Sequence, residues 1–157
     1  MMEDAIAIRS MTQADLAGVA KLFDAYRVFY EASPDPQGAQ AFLRARLERN
    51  ESQVLLAHSA DGDILGFTQL YPSFSSTQMQ KLWVLNDLYV EPAHRGRGIS
   101  VQLIAAAKAL CRQSGACGLM LETARSNVVG NALYPKQGFV LDTVFNAYHW
   151  SAHGGAA

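Results

Sequence analysis

The stretch His94-Arg95-Gly96-Arg97-Gly98-Ile99-Ser100 places two glycines and two arginines within seven residues. It follows the apolar run Trp83 to Val90 and opens the amphipathic stretch Val101 to Ala107. A strand, a glycine-and-arginine turn and then a helix is an arrangement that holds an anion. Glycines let backbone N–H groups converge, the helix N-terminus adds partial positive charge, and arginines add whole charges. The ligand predicted is a phosphorylated cofactor, which points to an enzyme. The turn lacks the Gly-Lys-Ser/Thr ending of a P-loop. No acidic residue follows where a dinucleotide-binding unit needs one.

Composition narrows the class. At 157 residues, half of them apolar and 17% charged, the expectation is one α/β domain over residues 1–157. A net charge of −1 argues against nucleic acid as partner, because no basic surplus is available to neutralise phosphates. No apolar run reaches the roughly 18 residues that span a bilayer, so no membrane partner is expected. Met1-Met2-Glu3-Asp4 does not read as a signal peptide. Cys111 falls in a predicted helix and Cys117 beside a predicted strand, so both thiols are expected reduced, as in a cytoplasmic protein. His58, His94 and His149 are scattered, and no metal site is expected.

The elements that position the turn follow from pattern. Ala5 to Arg9 reads as a first strand. Thr12 with Asp15 forms a capping box for a helix whose apolar face is Leu16, Val19, Leu22, Phe23 and Tyr26, fraying near Phe29 to Glu31. Asp35-Pro36 starts a second helix through Phe42, Leu43, Ala45 and Leu47 to Arg49. Val54–Ala57 and Ile64–Leu70 form a hairpin about Asp61-Gly62-Asp63, followed by a Ser-rich loop from Tyr71 to Gln80. Lys81–Val90 is a central strand, and a helix follows the turn to Ser114-Gly115. Leu119–Thr123 is a buried strand, and Val128–Lys136 a short helix stopped by Gly138. Phe139–Leu141 and Val144–Trp150 read as a closing hairpin, and Ser151–Ala157 as a frayed tail.

With its flanks, the turn resembles the GNAT superfamily of acyl-CoA N-acyltransferases. The family pattern Gln/Arg-x-x-Gly-x-Gly/Ala is met by Arg95, Gly98 and, imperfectly, Ser100. Leu88-Tyr89-Val90-Glu91-Pro92 is similar to the family's strand end. Asn127, Ala132-Leu133-Tyr134 and Gly138-Phe139 are similar to its second signature. The resemblance implies a mixed, mostly antiparallel sheet with a splayed central strand pair, flanked by about four helices. It implies acetyl-CoA as cofactor, with the amides of Gly96, Arg97, Gly98, Ile99, Ser100 and Val101, together with Arg95, on the phosphates. Backbone groups of Leu88, Tyr89 and Val90 would pair with the pantetheine arm like an added strand, the splay being marked by a bulge. Asn127 would lie near the pantetheine end.

Acetyl transfer from a thioester to an amine needs a neutral amine, a base, an oxyanion donor and an acid for the thiolate. No covalent enzyme intermediate is required, so neither cysteine is needed as a nucleophile. Tyr134 matches the family tyrosine beside the sulfur; a phenol of pKa about 10 stays protonated at neutral pH. Pro135 disfavours helical geometry there, so a kink is expected. The backbone N–H of Leu88 or Tyr89 is the expected oxyanion donor. The strand most resembles the diamine and polyamine acetyltransferase branch, whose glutamate is replaced here by Asn86, which cannot accept a proton. Asp87, which strand alternation sends to the opposite face, either works through water or ties down backbone. Glu122 is a second candidate base, and water alone a third.

The family's acceptor pocket draws on Tyr26, Phe29, Tyr30, Glu31, Tyr71, Phe74, Tyr148 and Trp150, an aromatic set with an acidic rim that suits a cation. Phe29, Tyr30, Glu31 and Asn86 are the expected substrate contacts. The leading expectation is an acetyltransferase acting on a small primary amine. A protein lysine or N-terminal amine acceptor is the second, and a non-catalytic acyl-CoA-binding module the third. The family implies a homodimer.

Overall fold

In a computed structural model, which describes residues 5–154, regular structure begins where cap and turn chemistry stands in the chain. The readings at Met1–Asp4 and at the last three residues of the tail lie outside the described residues. Strand β1 (Ala7–Ser10) leads to the Thr12–Asp15 box, where the Thr12 N–H donates to Asp15 Oδ2 at 2.8 Å. Arg9 grips the same carboxylate with both terminal nitrogens, at 2.7 and 2.8 Å. This bidentate bond holds the Asp15 carboxyl well below the usual carboxylate range. A short 3-10 turn then enters α1 (Leu16–Phe29). The fraying expected after Phe29 is a chain reversal, with Glu31 at φ 65°. Asp35 caps α2 (Pro36–Glu48), its Oδ1 accepting the Gly38 N–H at 2.9 Å.

Strands β2 (Gln53–His58), β3 (Ile64–Ser75), β4 (Gln80–Val90) and β5 (Leu119–Met120) extend β1 into one sheet of order β1-β2-β3-β4-β5. The first four are antiparallel, and β5 runs parallel to β4. This is the mixed α/β sheet expected. Helices α1 and α2 cover one face, with Leu16, Val19, Phe23 and Leu43 against Leu56 and Phe67. Helix α3 (Ile99–Gln113) covers the other, with Ile99 and Leu103 against Ala57, Leu65 and Val90. No helix among the described residues is long and apolar enough to cross a membrane.

Two compact units succeed one another in sequence, divided after Glu122. The second contains α4 (Val128–Lys136), whose helix closes over Pro135 rather than breaking before it. Pro135 lies in the last turn, where its missing N–H gives up a single helical bond. Gly138 (φ 85°) then ends the helix: the Phe139 N–H reaches Tyr134 O at 3.1 Å and the Gly138 N–H reaches Pro135 O at 3.0 Å. That is a Schellman cap, and the Tyr134 and Phe139 rings meet edge-on at 5.7 Å beneath it.

Three sequence expectations are corrected. The Ser-rich stretch from Tyr71 is strand as far as Ser75, paired with β4 through Ser75 and Gln80. Pro72 is tolerated because β3 beyond Leu70 has no β2 partner and so has a neighbour on one side only. The strand expected over Leu119–Thr123 pairs only at Leu119 and Met120 and is half-exposed, since β4 and β5 part after Val84. The closing hairpin is absent. Asp142 Oδ1 does take the N–H groups of Val144 and Phe145, at 2.8 and 3.0 Å, so the chain turns where expected. Its arms find no strand to pair with among the described residues, and Val140, Leu141, Val144, Phe145, Tyr148 and Trp150 are exposed.

At Gly66 the sheet leaves no room for a side chain: an added Cβ would stand 2.8 Å from Tyr89 O and 3.3 Å from Val90 Cα. Gly66→Ala must therefore push β3 from β4, and is expected to cost about 1–3 kcal/mol in urea unfolding. An unchanged midpoint would show that the strand pair yields without cost.

Candidate active site

The β3–β4 ladder pairs Gln69 with Asp87 and Leu70 with Leu85, so Asn86 is an extra residue, a bulge. A bulge takes carbonyls out of the ladder, and here two hydroxyls take them up. Tyr26 Oη donates to Asn86 O at 3.0 Å, and Thr68 Oγ1 donates to Asp87 O at 2.8 Å. The bulge also overturns the alternation argument. Instead of facing opposite ways, the two side chains meet, Asn86 Nδ2 donating to Asp87 Oδ1 at 2.8 Å. Asp87 is only 2% exposed, and Gln69 Nε2 donates to its second oxygen at 2.5 Å. Burial pushes its carboxyl up; the Gln69, Asn86 and Tyr26 hydrogen bonds act against that rise.

Asn86 and Asp87 open onto a cleft of about 380 Å³ walled by Phe23, Tyr26, Phe42 and Tyr71, with Arg27 and Asp35 on its sides. The rings form one aromatic set: Phe23 stacks on Phe42 at 5.7 Å and on Tyr26 at 6.5 Å. Arg27 is neutralised by Asp24, Nη1 to Oδ1 at 2.8 Å. Burial, and then the Asp87 charge, push the Tyr71 phenol up to about 12, so it is protonated at neutral pH.

Of the expected substrate contacts, Asn86 lines this cleft. Phe29, Tyr30 and Glu31 are exposed at the end of α1 and do not. Phe42 and Arg27 were not anticipated. Phe42 and Leu43 are adjacent on a helix, so they cannot share one face; Leu43 takes the core and Phe42 the cleft. Phe74 is exposed near the tip of the β3–β4 hairpin. Glu122 is exposed, two residues past the last pair of β5, and does not line the cleft.

The turn before α3 is built as a cradle. Gly96 and Gly98 lie at φ 78° and 75°, and an added Cβ at either would meet no heavy atom within 4 Å. Gly98 starts α3 without a side-chain cap, so no side chain accepts from the first-turn N–H groups of Ile99, Ser100 and Val101. Ile99 itself is core, so it can serve a ligand through its backbone. Arg95 Nε donates to Val90 O at 2.9 Å, and its guanidinium lies 5.3 Å over the Tyr89 ring, tying the turn to the end of β4. Arg97 meets His94 Nδ1 at 3.2 Å and is exposed. Because β5 leaves β4 after Val84, Leu88, Tyr89 and Val90 have, among the described residues, a strand neighbour on the β3 side alone. An open glycine turn, an uncapped helix start and a half-free strand fit a phosphorylated ligand with an extended arm.

In the second unit, Asn127 caps α4. Its Oδ1 accepts from the Gly130 N–H at 3.1 Å, and its Nδ2 donates to Thr123 Oγ1 at 2.9 Å. Tyr134 is half-buried on α4. Tyr148 and Trp150 are exposed.

Comparison with known proteins is consistent with this geometry. The model of the acetyltransferase (GNAT) family matches residues 19–139. The chain is 45% identical over 141 residues to the uncharacterized N-acetyltransferase YhfO of Bacillus subtilis (strain 168), covering 90% of this chain and 94% of that protein. It is 29% identical over 142 residues to aminoglycoside N(6')-acetyltransferase type 1 of Stenotrophomonas maltophilia, covering 88% and 89%. A crystal structure of a probable acetyltransferase superposes with a TM-score of 0.87 at 36% identity, over 92% of this chain and 97% of that one.

Gly98→Val puts a β-branched residue at positive φ and fills the open side of the turn. Acetyl-CoA affinity measured by calorimetry is expected to fall at least about tenfold, roughly one lost charge-assisted hydrogen bond. Unaltered binding would remove the turn from the cofactor site.

Proposed function

This chain belongs to the acetyltransferase (GNAT) family and is an acyltransferase that uses acetyl-CoA; from that premise we propose that its acceptor is the primary amine of a small cationic molecule held in the cleft. One observation carries this reading: four aromatic rings and the carboxyls of Asp35 and Asp87 surround the cleft, while Arg27 is matched by Asp24. Ring faces and unmatched carboxylates attract a cation. A polyamine-like compound or another amine metabolite fits that chemistry, as the strand's likeness to the diamine and polyamine branch suggests. The relative named for aminoglycosides adds that class to the acceptors worth testing. The reading takes residues 1–157 as one acetyltransferase domain, supported by a family match that runs from 19 to 139.

Bound acetyl-CoA supplies the acetyl thioester. The amides from Gly96 to Val101, with Arg95 and Arg97, hold its phosphates, and the free side of β4 at Leu88–Val90 lies alongside the arm. Asn127 contributes near the same arm. Asp87 accepts the proton of the incoming ammonium at Oδ1 or Oδ2. Its buried, uncharged hydrogen-bond shell favours this role, because a proton acceptor works best when its pKa lies near the working pH. Glu122, exposed and away from the cleft, is set aside. Tyr134 Oη carries the proton for the departing thiolate.

A homodimer is part of the reading. Residues 140–150 carry an exposed apolar strand pattern, and β5 is a short edge strand. A second copy supplies both missing partners at once. Free Cys111 and Cys117 support a reducing, cytoplasmic setting.

A thiol-release assay over polyamines, aminoglycosides, amino acids and lysine peptides tests the acceptor. Turnover is expected on small polycations, and turnover confined to lysine peptides would refute the proposal. Asp87→Asn and Tyr134→Phe are each expected to lower kcat by about 10²–10⁴-fold while acetyl-CoA affinity holds. A variant with wild-type kcat removes its residue from the chemistry.

A further inference from the structure

We propose that Gln69 is a positioning residue: its side-chain amide, anchored at Ser52, holds Asp87 ionised through Oδ2 and leaves Oδ1, on the Asn86 side, facing the cleft. The inference rests on the reading of Asp87 as proton acceptor, and it gives one residue of the Asp87 hydrogen-bond shell, on β3, a role of its own. Gln69 is fully buried on the strand that also buries Phe67 and Leu70. A buried amide is costly unless its donor and acceptor are both met. Here both are: Nε2 donates to Asp87 Oδ2 at 2.5 Å, and Oε1 accepts from Ser52 Oγ at 2.9 Å.

The carboxylate decides which way the amide faces, and Ser52 anchors the other end. An amide can present either its N–H₂ or its oxygen to a neighbour, and the two differ by a flip. Ionised Asp87 has only acceptor oxygens, so it needs the N–H₂ side. The Ser52 hydroxyl, which can donate or accept, meets the Oε1 that this orientation leaves on the far side. Asn86 Nδ2 serves the other oxygen from the cleft side, so each carboxylate oxygen has one amide donor. These donors are neutral. They stabilise the charge without the deep lowering of proton affinity that a paired arginine would impose, as Arg9 does on Asp15. The other titratable and charged groups around Asp87 are Tyr26 and Arg27 of α1, Asp35 ahead of α2, and Tyr71 of β3, with Arg46 of α2 acting on Tyr71.

Side-chain carboxyl ¹³C titration of the full chain, assigned with Asp87→Asn, reads the Asp87 midpoint without reference to turnover. Gln69→Leu is expected to raise that midpoint by about one to two pH units, the loss of one hydrogen bond to a charged group. The acid limb of the kcat profile is expected to move the same way. Ser52→Ala leaves Oε1 without this partner, loosens the amide and is expected to raise the midpoint by less; it also serves if Gln69→Leu does not fold. Midpoints that stay at the wild-type value overturn the inference. A midpoint that moves while the kcat profile stays still upholds Gln69 and counts instead against Asp87 as the proton acceptor.

Discussion

One extra residue in β4 organises the site. Without the bulge at Asn86, the β3–β4 ladder would run on in simple alternation, and Asn86 and Asp87 would point to opposite faces. With it, both reach one cleft, and the displaced carbonyls need new donors. Tyr26 and Thr68 provide these, which ties the position of α1 to the geometry of the strand. The Tyr26 ring then sits within the aromatic set, 6.4 Å from Phe67 and 6.5 Å from Tyr89. Core packing, strand register and cleft lining therefore share residues. A change made to one is felt in the others.

The sheet has a second irregularity of the same kind. The β2–β3 register shifts at Ala57 and His58, so Ile64 packs beneath α1 while Leu65 packs beneath α3. Adjacent residues thus feed opposite cores, and Gly66 follows where β4 leaves no room for a Cβ on β3. The parting of β5 from β4 completes the pattern. The bulge at Asn86 and the parting after Val84 both fall on β4, next to the residues proposed for the chemistry.

Much of this was legible from local chemistry. The Thr12–Asp15 box, the Asp35-Pro36 helix start, the Gly138 stop and the glycine turn before α3 all stand where residue types placed them, because cap and turn preferences are short-range. A bulge on this strand was implied by the family resemblance, but its place at Asn86 was not legible in the residues. It carries no glycine, and a two-residue period contains no mark for an inserted residue. Phe42 was hidden because an apolar helix residue looks like core until its neighbour Leu43 claims the core side. The strand over Tyr71–Ser75 was hidden by its serines and proline, which mimic a loop when the partner strand is unknown. The C-terminal arms show the reverse error: an alternating pattern states a readiness to pair and says nothing about where the partner is.

Tyr134 is the residue whose carbonyl receives the Schellman bond from Phe139, so its backbone is fixed by a glycine that does no chemistry. Gly138 at φ 85° makes that bond possible, while Pro135 has no N–H to give the Asn131 carbonyl one turn earlier. The last turn of α4 lacks the one helical bond that Pro135 cannot make, and hydrogen exchange there should run faster than in the paired strands of the sheet. On warming, the proposed acid would lose its orientation while β3 and β4 were still intact. Heat would silence such an enzyme well before it unfolded the sheet, and cooling would restore it without refolding.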